Sequence, residues 1–242
     1  MTPIQPHTST KTFQDLGLTE PVLRALADCG YREPTPIQSA AIPLVSARRD
    51  VMATAQTGTG KTAAFMLPVI EDIATRPSYA GDTPLALVLA PTRELALQIE
   101  ENVRAYGKYV GTRTAVLLGG VNSGPQIDRL RKGVDIVIAT PGRLIDLYKQ
   151  GELNLDDVEF LILDEAASAL DPESEAIFMR NLGRIAAGRT VVIVSHRLST
   201  LVKSDRIFVF EQGRLSDAGR HAELLGRCEP YTQLWNQQTI HL

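Results

Sequence analysis

Residues 55–62 of this chain read Ala55-Gln56-Thr57-Gly58-Thr59-Gly60-Lys61-Thr62, between a β-branched run at Asp50–Ala55 and a helical pattern at Lys61–Thr75. The stretch matches the phosphate-binding pattern G-x-x-x-x-G-K-[ST], except that Ala55 stands at the first glycine. Glycines let the backbone curl so that its N–H groups point at phosphate oxygens, and the positive end of the following helix adds to the attraction. We therefore expect these residues to bind a nucleotide, with Lys61 reaching the β/γ-phosphates and the Thr62 hydroxyl ligating Mg²⁺.

A second stretch supplies the acidic partner that such a loop requires. Phe160–Leu163 is a short apolar run, and Asp164-Glu165 follows it at the expected carboxyl end of a strand. Asp164 would hold Mg²⁺ through its water shell, and Glu165 would orient or deprotonate the attacking water. Taken alone, each stretch has an ordinary alternative, a glycine-rich turn for the loop and a solvated strand edge for the carboxylates. Their combination favours nucleotide chemistry.

Short apolar runs alternate with amphipathic segments along most of the chain. The predicted strands are Asp50–Ala55, Leu85–Ala90, Thr114–Leu118, Asp135–Ala139, Val158–Leu163, Thr190–Ser195 and Ile207–Glu211. The predicted helices are Lys61–Thr75, Glu94–Gly107, Pro125–Lys132, Arg143–Lys149 and Glu173–Ala187, with two more within residues 13–45. Almost wholly apolar strands suit a parallel sheet covered on both faces, so we predict one doubly wound α/β domain of the P-loop NTPase class over residues 1–242. A small β-hairpin around Gln212-Gly213 and two helices, from about Arg220 and Tyr231, should end it.

The composition is that of an ordinary globular protein, which excludes disordered, collagenous and coiled-coil chains. Of 242 residues, 44% are hydrophobic and 22% are charged, and the formal net charge is −3. No apolar run approaches the ~18 residues that span a bilayer, and the N-terminus shows no signal-peptide pattern. Cys29 and Cys228 form neither a disulfide framework nor a metal cluster, which fits a reducing compartment. We expect a cytoplasmic protein whose nucleic-acid contacts, if any, are local, because there is no basic excess.

Six motifs, in order, resemble the first RecA-like domain of a DEAD-box RNA helicase over residues 13 to about 166. They are Phe13 with Gly30-Tyr31 and Pro34-Thr35-Pro36-Ile37-Gln38; residues 55–62; Pro91-Thr92-Arg93-Glu94-Leu95-Ala96; Gly119-Gly120; Thr140-Pro141-Gly142-Arg143; and Asp164-Glu165-Ala166. Alanine at the first position of the phosphate loop is what that family has. The resemblance implies a RecA-like sheet, an ATP·Mg²⁺ site and a contact with RNA.

The same resemblance assigns roles to individual residues. It implies that Gln38 reads the adenine edge and that Phe13 stacks near the base, which would give a preference for ATP. A helix-capping or surface amide is the alternative for Gln38, and a core aromatic is the alternative for Phe13. The residues implied to face an RNA backbone are Pro91, Thr92, Arg93, Gly119, Gly120, Thr140 and Arg143. Loops at strand ends can offer N–H groups and arginines to phosphates, although the same loops also serve as helix starts and turns in any α/β domain.

Beyond Asp164-Glu165-Ala166 the helicase pattern breaks, because Ala167 stands where that family has Asp and no Ser-Ala-Thr motif follows. Residues 161–242 resemble instead the C-terminal part of an ABC-transporter nucleotide-binding domain, without its LSGGQ signature. The matching segments are Leu161–Asp171, Gly188–Thr200, Asp205–Ile207, Glu211–Arg214 and Gly219–Leu225. By that resemblance His196 would reach the γ-phosphate or the attacking water near Glu165, with a locally bonded strand-end histidine as the alternative. Asp171 would cap a helix rather than act across a dimer interface.

The chain therefore looks like a chimera joined near Phe160–Ala166, and the equivalent join point favours deliberate engineering over natural fusion. We expect the phosphate-loop strand to lie beside the strand that ends in Asp164, so that the register of apolar strands survives the join. The leading hypothesis is a monomeric ATP·Mg²⁺-binding domain with slow hydrolysis at best, since both similar families complete their site with a second domain or protomer. Two alternatives stay open, a module that binds single-stranded RNA weakly and a folded chain without selected activity.

Overall fold

The computed structural model describes residues 12–53, 59–76, 83–165, 186–194, 202, 207–211 and 214–239. Six of the described strands form one parallel sheet: β1 (Val51–Ala53), β2 (Ala86–Leu89), β3 (Thr114–Leu117), β4 (Ile136–Ala139), β5 (Phe160–Asp164) and β6 (Thr190–Val194). Their spatial order is β1-β6-β5-β2-β4-β3, and every neighbouring pair is parallel. The predicted α/β fold with a parallel sheet is confirmed.

Helices precede the sheet and connect its strands. They are α1 (Glu20–Asp28), α2 (Pro36–Ser46), α3 (Lys61–Thr75), α4 (Arg93–Tyr106), α5 (Gly124–Arg131) and α6 (Pro141–Lys149). The predicted bounds agree closely with these, and the largest differences are at the starts of α6 and β5. The predicted helix at Glu173–Ala187 lies almost entirely outside the described residues. Asp171 and Ala167 lie outside them as well.

The strand order overturns one expectation, because β1 does not lie beside β5. Strand β6 lies between them and pairs with both, so that Ala53, Val194 and Asp164 are level across three strands. With about 4.8 Å between neighbouring strands, the end of β1 and Asp164 are about 10 Å apart. Val191, Val192 and Val194 are buried at this central position, so β6 fills the space between β1 and β5 with apolar side chains.

Helices cover both faces of the sheet, and β5 shows how its side chains divide between them. Phe160 and Ile162 join a large core with α1, α2, α3 and α4, whereas Leu161 and Leu163 join a second core with α5 and α6. This alternation follows from the period of two along a strand. The sheet is therefore fixed from both sides, and only its two ends are left to present loops.

A charged network joins the elements at the amino end of the sheet. Arg76 donates to both carboxylate oxygens of Glu159 at 2.8 and 2.6 Å, and Arg48 lies 3.0 Å from the same carboxylate. Asp72 lies 2.7 Å from each of the two arginines. The hydrogen bonds from Arg76 hold the pKa of Glu159 below its usual range. The network ties the ends of α2 and α3 to the start of β5.

The C-terminal region forms a small unit of its own. The antiparallel hairpin β7 (Ile207–Glu211) and β8 (Arg214–Gly219) is followed by α7 (His221–Arg227) and α8 (Glu229–Thr239), as predicted. Ile207, Leu224, Cys228 and Tyr231 are its buried core. Among the described residues, no helix is both long enough and apolar enough to cross a membrane.

Candidate functional site

The strand order divides the carboxyl edge of the sheet into two groups of loops. We call the ends of β1, β6 and β5 the nucleotide half, and the ends of β2, β4 and β3 the distal half. The predicted phosphate and metal residues lie at or after the ends of strands of the first group, and the predicted RNA-contact residues follow strands of the second. In open α/β sheets this edge is where ligands bind.

The phosphate loop is described from Thr59 onward; Ala55, Gln56, Thr57 and Gly58 lie outside the described residues. Gly60 has φ 84° and caps α3, whose first residue is Lys61. A left-handed backbone favours glycine, and a Cβ at Gly60 would come 2.4 Å from Nε2 of Gln38. The first turn of α3 therefore starts at the loop, where its N–H groups lack intrahelical acceptors and suit an anion.

Lys61 and Glu165 are brought together across the nucleotide half. Lys61 Nζ lies 3.8 Å from Oε1 of Glu165, and their side chains are 11% and 27% exposed. Glu165 adopts φ 55°, which is uncommon for a residue with a side chain, and its N–H donates to the Val194 carbonyl at 2.9 Å. Backbone strain of this kind concentrates at functional sites. The structure thus places the predicted water-orienting carboxylate beside the predicted phosphate-binding lysine.

Asp164 and Thr62 have the chemistry expected of Mg²⁺ ligands. Asp164 is the last residue of β5 and is 5% exposed, and Thr62 is the second residue of α3 and is half-buried. A carboxylate and a hydroxyl are hard oxygen donors, and Mg²⁺ takes few of them from a protein because phosphates and waters complete its octahedron. These residues therefore fit a metal–nucleotide complex. His196, the third predicted catalytic residue, lies outside the described residues.

Gln38 is fully buried, and its amide is engaged on both sides. Oε1 accepts the Thr35 N–H at 2.8 Å, and Nε2 donates to the Gly60 carbonyl at 3.2 Å. The Thr35 hydroxyl donates to the Thr59 carbonyl at 3.0 Å, so only one half of a capping box forms and the other half holds the phosphate loop. The capping alternative describes what the structure shows. Adenine recognition by Gln38 stays a prediction, and it requires the amide to leave Gly60.

Phe13 is part of the core rather than of an open site. It is 3% exposed and meets the Tyr31 ring edge to face, with 6.1 Å between ring centroids. Tyr31 in turn contacts Tyr106, with the two hydroxyls 2.9 Å apart, and burial raises the pKa of Tyr106. This arrangement leaves no ring face for a base, so adenine stacking by Phe13 also stays a prediction.

In the distal half, three of the seven predicted RNA residues are exposed, namely Thr92, Arg93 and Gly120. The Thr92 hydroxyl caps α4 by accepting the Leu95 N–H at 3.2 Å, and Pro91 before it is half-buried. Arg93, the first residue of α4, is exposed, and a Cβ at Gly120 would lie 3.3 Å from its Nη1.

The remaining predicted RNA residues follow β3 and β4. Gly119 is half-buried and Gly120 is exposed with φ 73°, while the Thr140 N–H donates to the Leu117 carbonyl at 3.0 Å. Arg143 differs from the others, because its side chain is only 11% exposed and its Nη2 donates to the Val121 carbonyl at 2.9 Å.

Sequence reasoning did not identify Gln126. Its Oε1 accepts the Leu118 N–H at 3.1 Å, and its Nε2 donates to the Leu118 carbonyl at 3.2 Å. The side-chain amide thus takes the place of a neighbouring strand at the end of the edge strand β3. A glutamine on a helix carries no signal of this role, because the role depends on where the loop before the helix runs.

Comparison with known proteins places these motifs in a family. The sequence model of the DEAD/DEAH box helicase family matches residues 35–201. A DEAD-box ATP-dependent RNA helicase of Oryza sativa subsp. japonica is 39% identical over 238 residues, which cover 93% of this chain and 48% of the relative. A DEAD-box ATP-dependent RNA helicase of Arabidopsis thaliana is 47% identical over 162 residues, covering 66% and 32%, respectively. The ATP-dependent RNA helicase dbp2 of Sclerotinia sclerotiorum is 44% identical over 180 residues, covering 74% and 32%.

The chain spans about half, or less, of the length of these curated relatives. The family match nevertheless covers most of the chain and includes the phosphate loop, the carboxylates after β5 and the loops of the distal half. Because that match agrees with the way the parallel sheet groups these motifs at one edge, the chain belongs to the DEAD/DEAH box helicase family.

Proposed function

We propose that this chain is a helicase-core domain that binds ATP·Mg²⁺ at the nucleotide half, hydrolyses it slowly and contacts RNA at the distal half. The observation that carries the proposal is the pairing of Lys61 with Glu165 beside the start of α3. A loop lysine, a buried Asp164 and a second carboxylate at one sheet edge are the parts that phosphoryl transfer from a nucleotide requires.

The residues of the chain divide this work between them. Lys61 and the N–H groups at the start of α3 offset the charge of the β/γ-phosphates, and Thr62 and Asp164 hold the metal. Bound Mg²⁺ supplies further neutralisation of phosphate charge. When Lys61 turns from Glu165 to a phosphate, the carboxylate can accept a hydrogen bond from a water molecule and orient it. The ion pair in the structure is thus a resting arrangement of two groups that act separately in turnover.

Slow hydrolysis follows from the charge that this site leaves uncompensated. In P-loop enzymes an arginine supplied by a second domain or protomer offsets the charge on the transferring group, and it is worth ~10³–10⁵ in rate. The relatives are at least about twice as long as this chain, which fits a site that shares its work with another domain. The turnover of the chain by itself should therefore be low.

RNA binding is proposed on the exposure and geometry of the distal half. Thr92, Arg93 and Gly120 are exposed at neighbouring strand ends, and the chain has no net basic charge to attract nucleic acid elsewhere. A backbone contact through a few N–H groups and an arginine gives modest, salt-dependent and sequence-independent binding to a single strand. We expect the monomer to bind in this way. The names of the relatives agree with it, since each is called an RNA helicase.

We also propose that residues 161–242 come from an ABC-type nucleotide-binding domain, by an engineered rather than a natural join. The support is the run of ABC-like segments after Glu165, such as Gly188–Thr200 and Gly219–Leu225. By that resemblance His196, which follows β6 along the sequence, would act on the γ-phosphate or the attacking water. The helicase match runs on to residue 201, across the proposed join.

Thermal unfolding with and without ATP·Mg²⁺ tests the nucleotide site. At about 100-fold excess over Kd, binding should add about 2.7 kcal/mol to the free energy of unfolding, which for a domain of this size raises Tm by about 5–10 °C. Lys61→Ala should remove this rise. Lys132→Ala, an exposed lysine after α5, is the matched control and should keep it. An equal rise in the Lys61→Ala variant would show that the nucleotide binds elsewhere.

A further inference from the structure

We propose that Arg143 is a positioning residue, which holds the β3–α5 loop (residues 118–123) in place for RNA and does not itself contact a phosphate. The inference rests on the RNA-binding role proposed for the distal half and refines it. It changes the role that the family resemblance implies for this arginine, from a direct contact to a support beneath the contact.

The first argument is the burial of the guanidinium. The Arg143 side chain is 11% exposed, its Nη2 donates to the Val121 carbonyl at 2.9 Å, and its Nε lies 3.6 Å from Oδ2 of Asp146. An arginine that binds a phosphate presents two parallel N–H groups to it, which requires the guanidinium to face the ligand. Arg93, at the same edge, is exposed and meets that requirement.

The second argument is the position of Val121 in the loop. It follows Gly119 and Gly120 directly, and those are the residues whose N–H groups a phosphate would use. Gln126 holds the beginning of the loop through Leu118, and it also donates to the Asn122 carbonyl at 3.3 Å. The bond from Arg143 ties the same loop to a different element, α6. Backbone amides bind an anion more tightly when their directions are fixed in advance, and here side chains from two helices, α5 and α6, hold the loop.

The third argument is the other terminal nitrogen of the guanidinium, Nη1. Nη1 of Arg143 is buried and has no hydrogen-bond acceptor among the described residues. A buried charged donor without an acceptor is unfavourable, so the site is not optimised around the full arginine fork. The single bond to Val121 therefore accounts for the structural role, and a lysine, which also carries a charge and a donor, should restore part of it.

These two roles predict different salt dependence of RNA binding. A direct phosphate contact releases a counterion and makes the slope of log K against log salt more negative by about 0.7 for a single strand. A residue that only supports the loop places no charge at the phosphate. Without it, the loop must become ordered when RNA binds, and this entropic cost lowers the affinity by the same factor at every salt concentration. Measuring the slope thus separates contact from support.

The experiment titrates a single-stranded uridine oligonucleotide into the full chain over a series of salt concentrations. Arg93→Gln is the matched variant, and it should reduce the steepness of the slope by about 0.7. Arg143→Gln should weaken binding by about 3–10-fold with the slope unchanged, and Arg143→Lys should recover part of the loss. An equal fall in slope for Arg143→Gln and Arg93→Gln would overturn the proposal, as would full affinity in Arg143→Gln.

Amide hydrogen exchange without RNA supplies the second readout. In Arg143→Gln the amides of residues 118–123 should exchange faster, while those of α3 keep their wild-type rates; faster exchange in both segments would indicate general destabilisation and contradict a local role. If the wild-type chain shows no salt-dependent RNA binding, the proposed RNA function fails. The exchange rates then decide separately whether Arg143 anchors the loop, and unchanged rates would overturn that as well.

Discussion

Each half of the carboxyl edge is organised by a buried or half-buried glutamine, but the two glutamines work over different distances along the chain. Gln38 joins α2 to the Gly60 carbonyl, 22 residues away, and has no exposed surface. Gln126 pairs with both backbone groups of Leu118, eight residues before it, and is half-buried. The nucleotide half is therefore held by a helix that precedes the sheet, and the distal half by the helix that follows its own loop.

The strands show the same difference. The distal half uses β2, β3 and β4, which all lie between residues 86 and 139, whereas the nucleotide half brings β1, β5 and β6 together from residues 51 to 194. Bringing distant segments together carries a larger loop-closure entropy and makes each contact depend on the rest of the fold. Changes in the nucleotide half should thus affect stability and turnover strongly, and changes in the distal half should stay local.

The largest expected effect is a loss of ATP turnover, which should follow a change in the nucleotide half and leave RNA binding at the distal half intact. Glu165→Gln should lower ATP turnover by at least about 100-fold, because the amide cannot accept the proton of the attacking water, while ATP·Mg²⁺ binding and RNA binding persist. The wild-type turnover from which this loss is measured should itself lie below ~10 s⁻¹. Steady-state phosphate release, with and without single-stranded RNA, is the measurement.

The control for this change is Glu101→Gln, an exposed carboxylate on α4, which should leave turnover unchanged. RNA should stimulate the wild-type rate little or not at all, since Ala167 stands where the similar helicases have Asp. Wild-type turnover near 10 s⁻¹, or strong stimulation by RNA, would contradict the proposed slow hydrolysis without coupling to RNA.

The next effect compares the two glutamines directly. Gln38→Ala should lower the free energy of unfolding by about 2–3 kcal/mol, because Gln38 is fully buried and the change removes its hydrogen bonds with the Thr35 N–H and the Gly60 carbonyl. Gln126→Ala should lower it by only about 1 kcal/mol, since the Gln126 side chain is half-buried rather than fully buried. Chemical denaturation of both variants measures the difference. Equal losses would show that sequence separation does not distinguish the two halves.

The same Gln38 variant tests base selectivity. If the amide turns from Gly60 to adenine, wild-type protein should prefer ATP to GTP, because the amide donates and accepts in the pattern that adenine offers. The Gln38→Ala variant should lose that preference, measured by competition of GTP with ATP. Equal competition by the two nucleotides in the wild type would exclude adenine recognition through Gln38.

The smallest effect lies at the amino end of the sheet, away from both halves. The pKa of Glu159 is lowered by its hydrogen bonds with Arg76, so its carboxylate stabilises the fold above the ordinary value of 4.5, and this contribution is lost as the pH falls through the lowered pKa. Glu159→Gln should lower the free energy of unfolding by about 0.2–1 kcal/mol near neutral pH, because the pair is partly exposed. The gap between variant and wild type should begin to close below pH 4.5 and vanish once the pH is below the lowered pKa, as denaturation at several pH values would show; a gap that widens on acidification would contradict this assignment.

Most of the architecture could be predicted from local patterns. The apolar runs at Ala86–Leu89 and Ile136–Ala139 gave both the strands and their parallel pairing, since such runs need cover on both faces. The start of α3 at Lys61 followed from the glycine before it. The expectation that β1 lies beside β5 was wrong, because the sequence of an apolar strand does not record which two strands it will separate.

For the site, the sequence by itself determined which residue types are present: a glycine-rich loop with Lys61 and Thr62, carboxylates after β5 and loop arginines at strand ends. These follow from chemistry, since phosphate and magnesium accept few kinds of ligand. Only the tertiary structure decided that Glu165 meets Lys61, that Gln38 and Phe13 are turned into the core, and that Arg143 donates a hydrogen bond to the Val121 carbonyl. The reason is that burial and hydrogen-bond partners depend on segments far away in the chain, which no local spacing records.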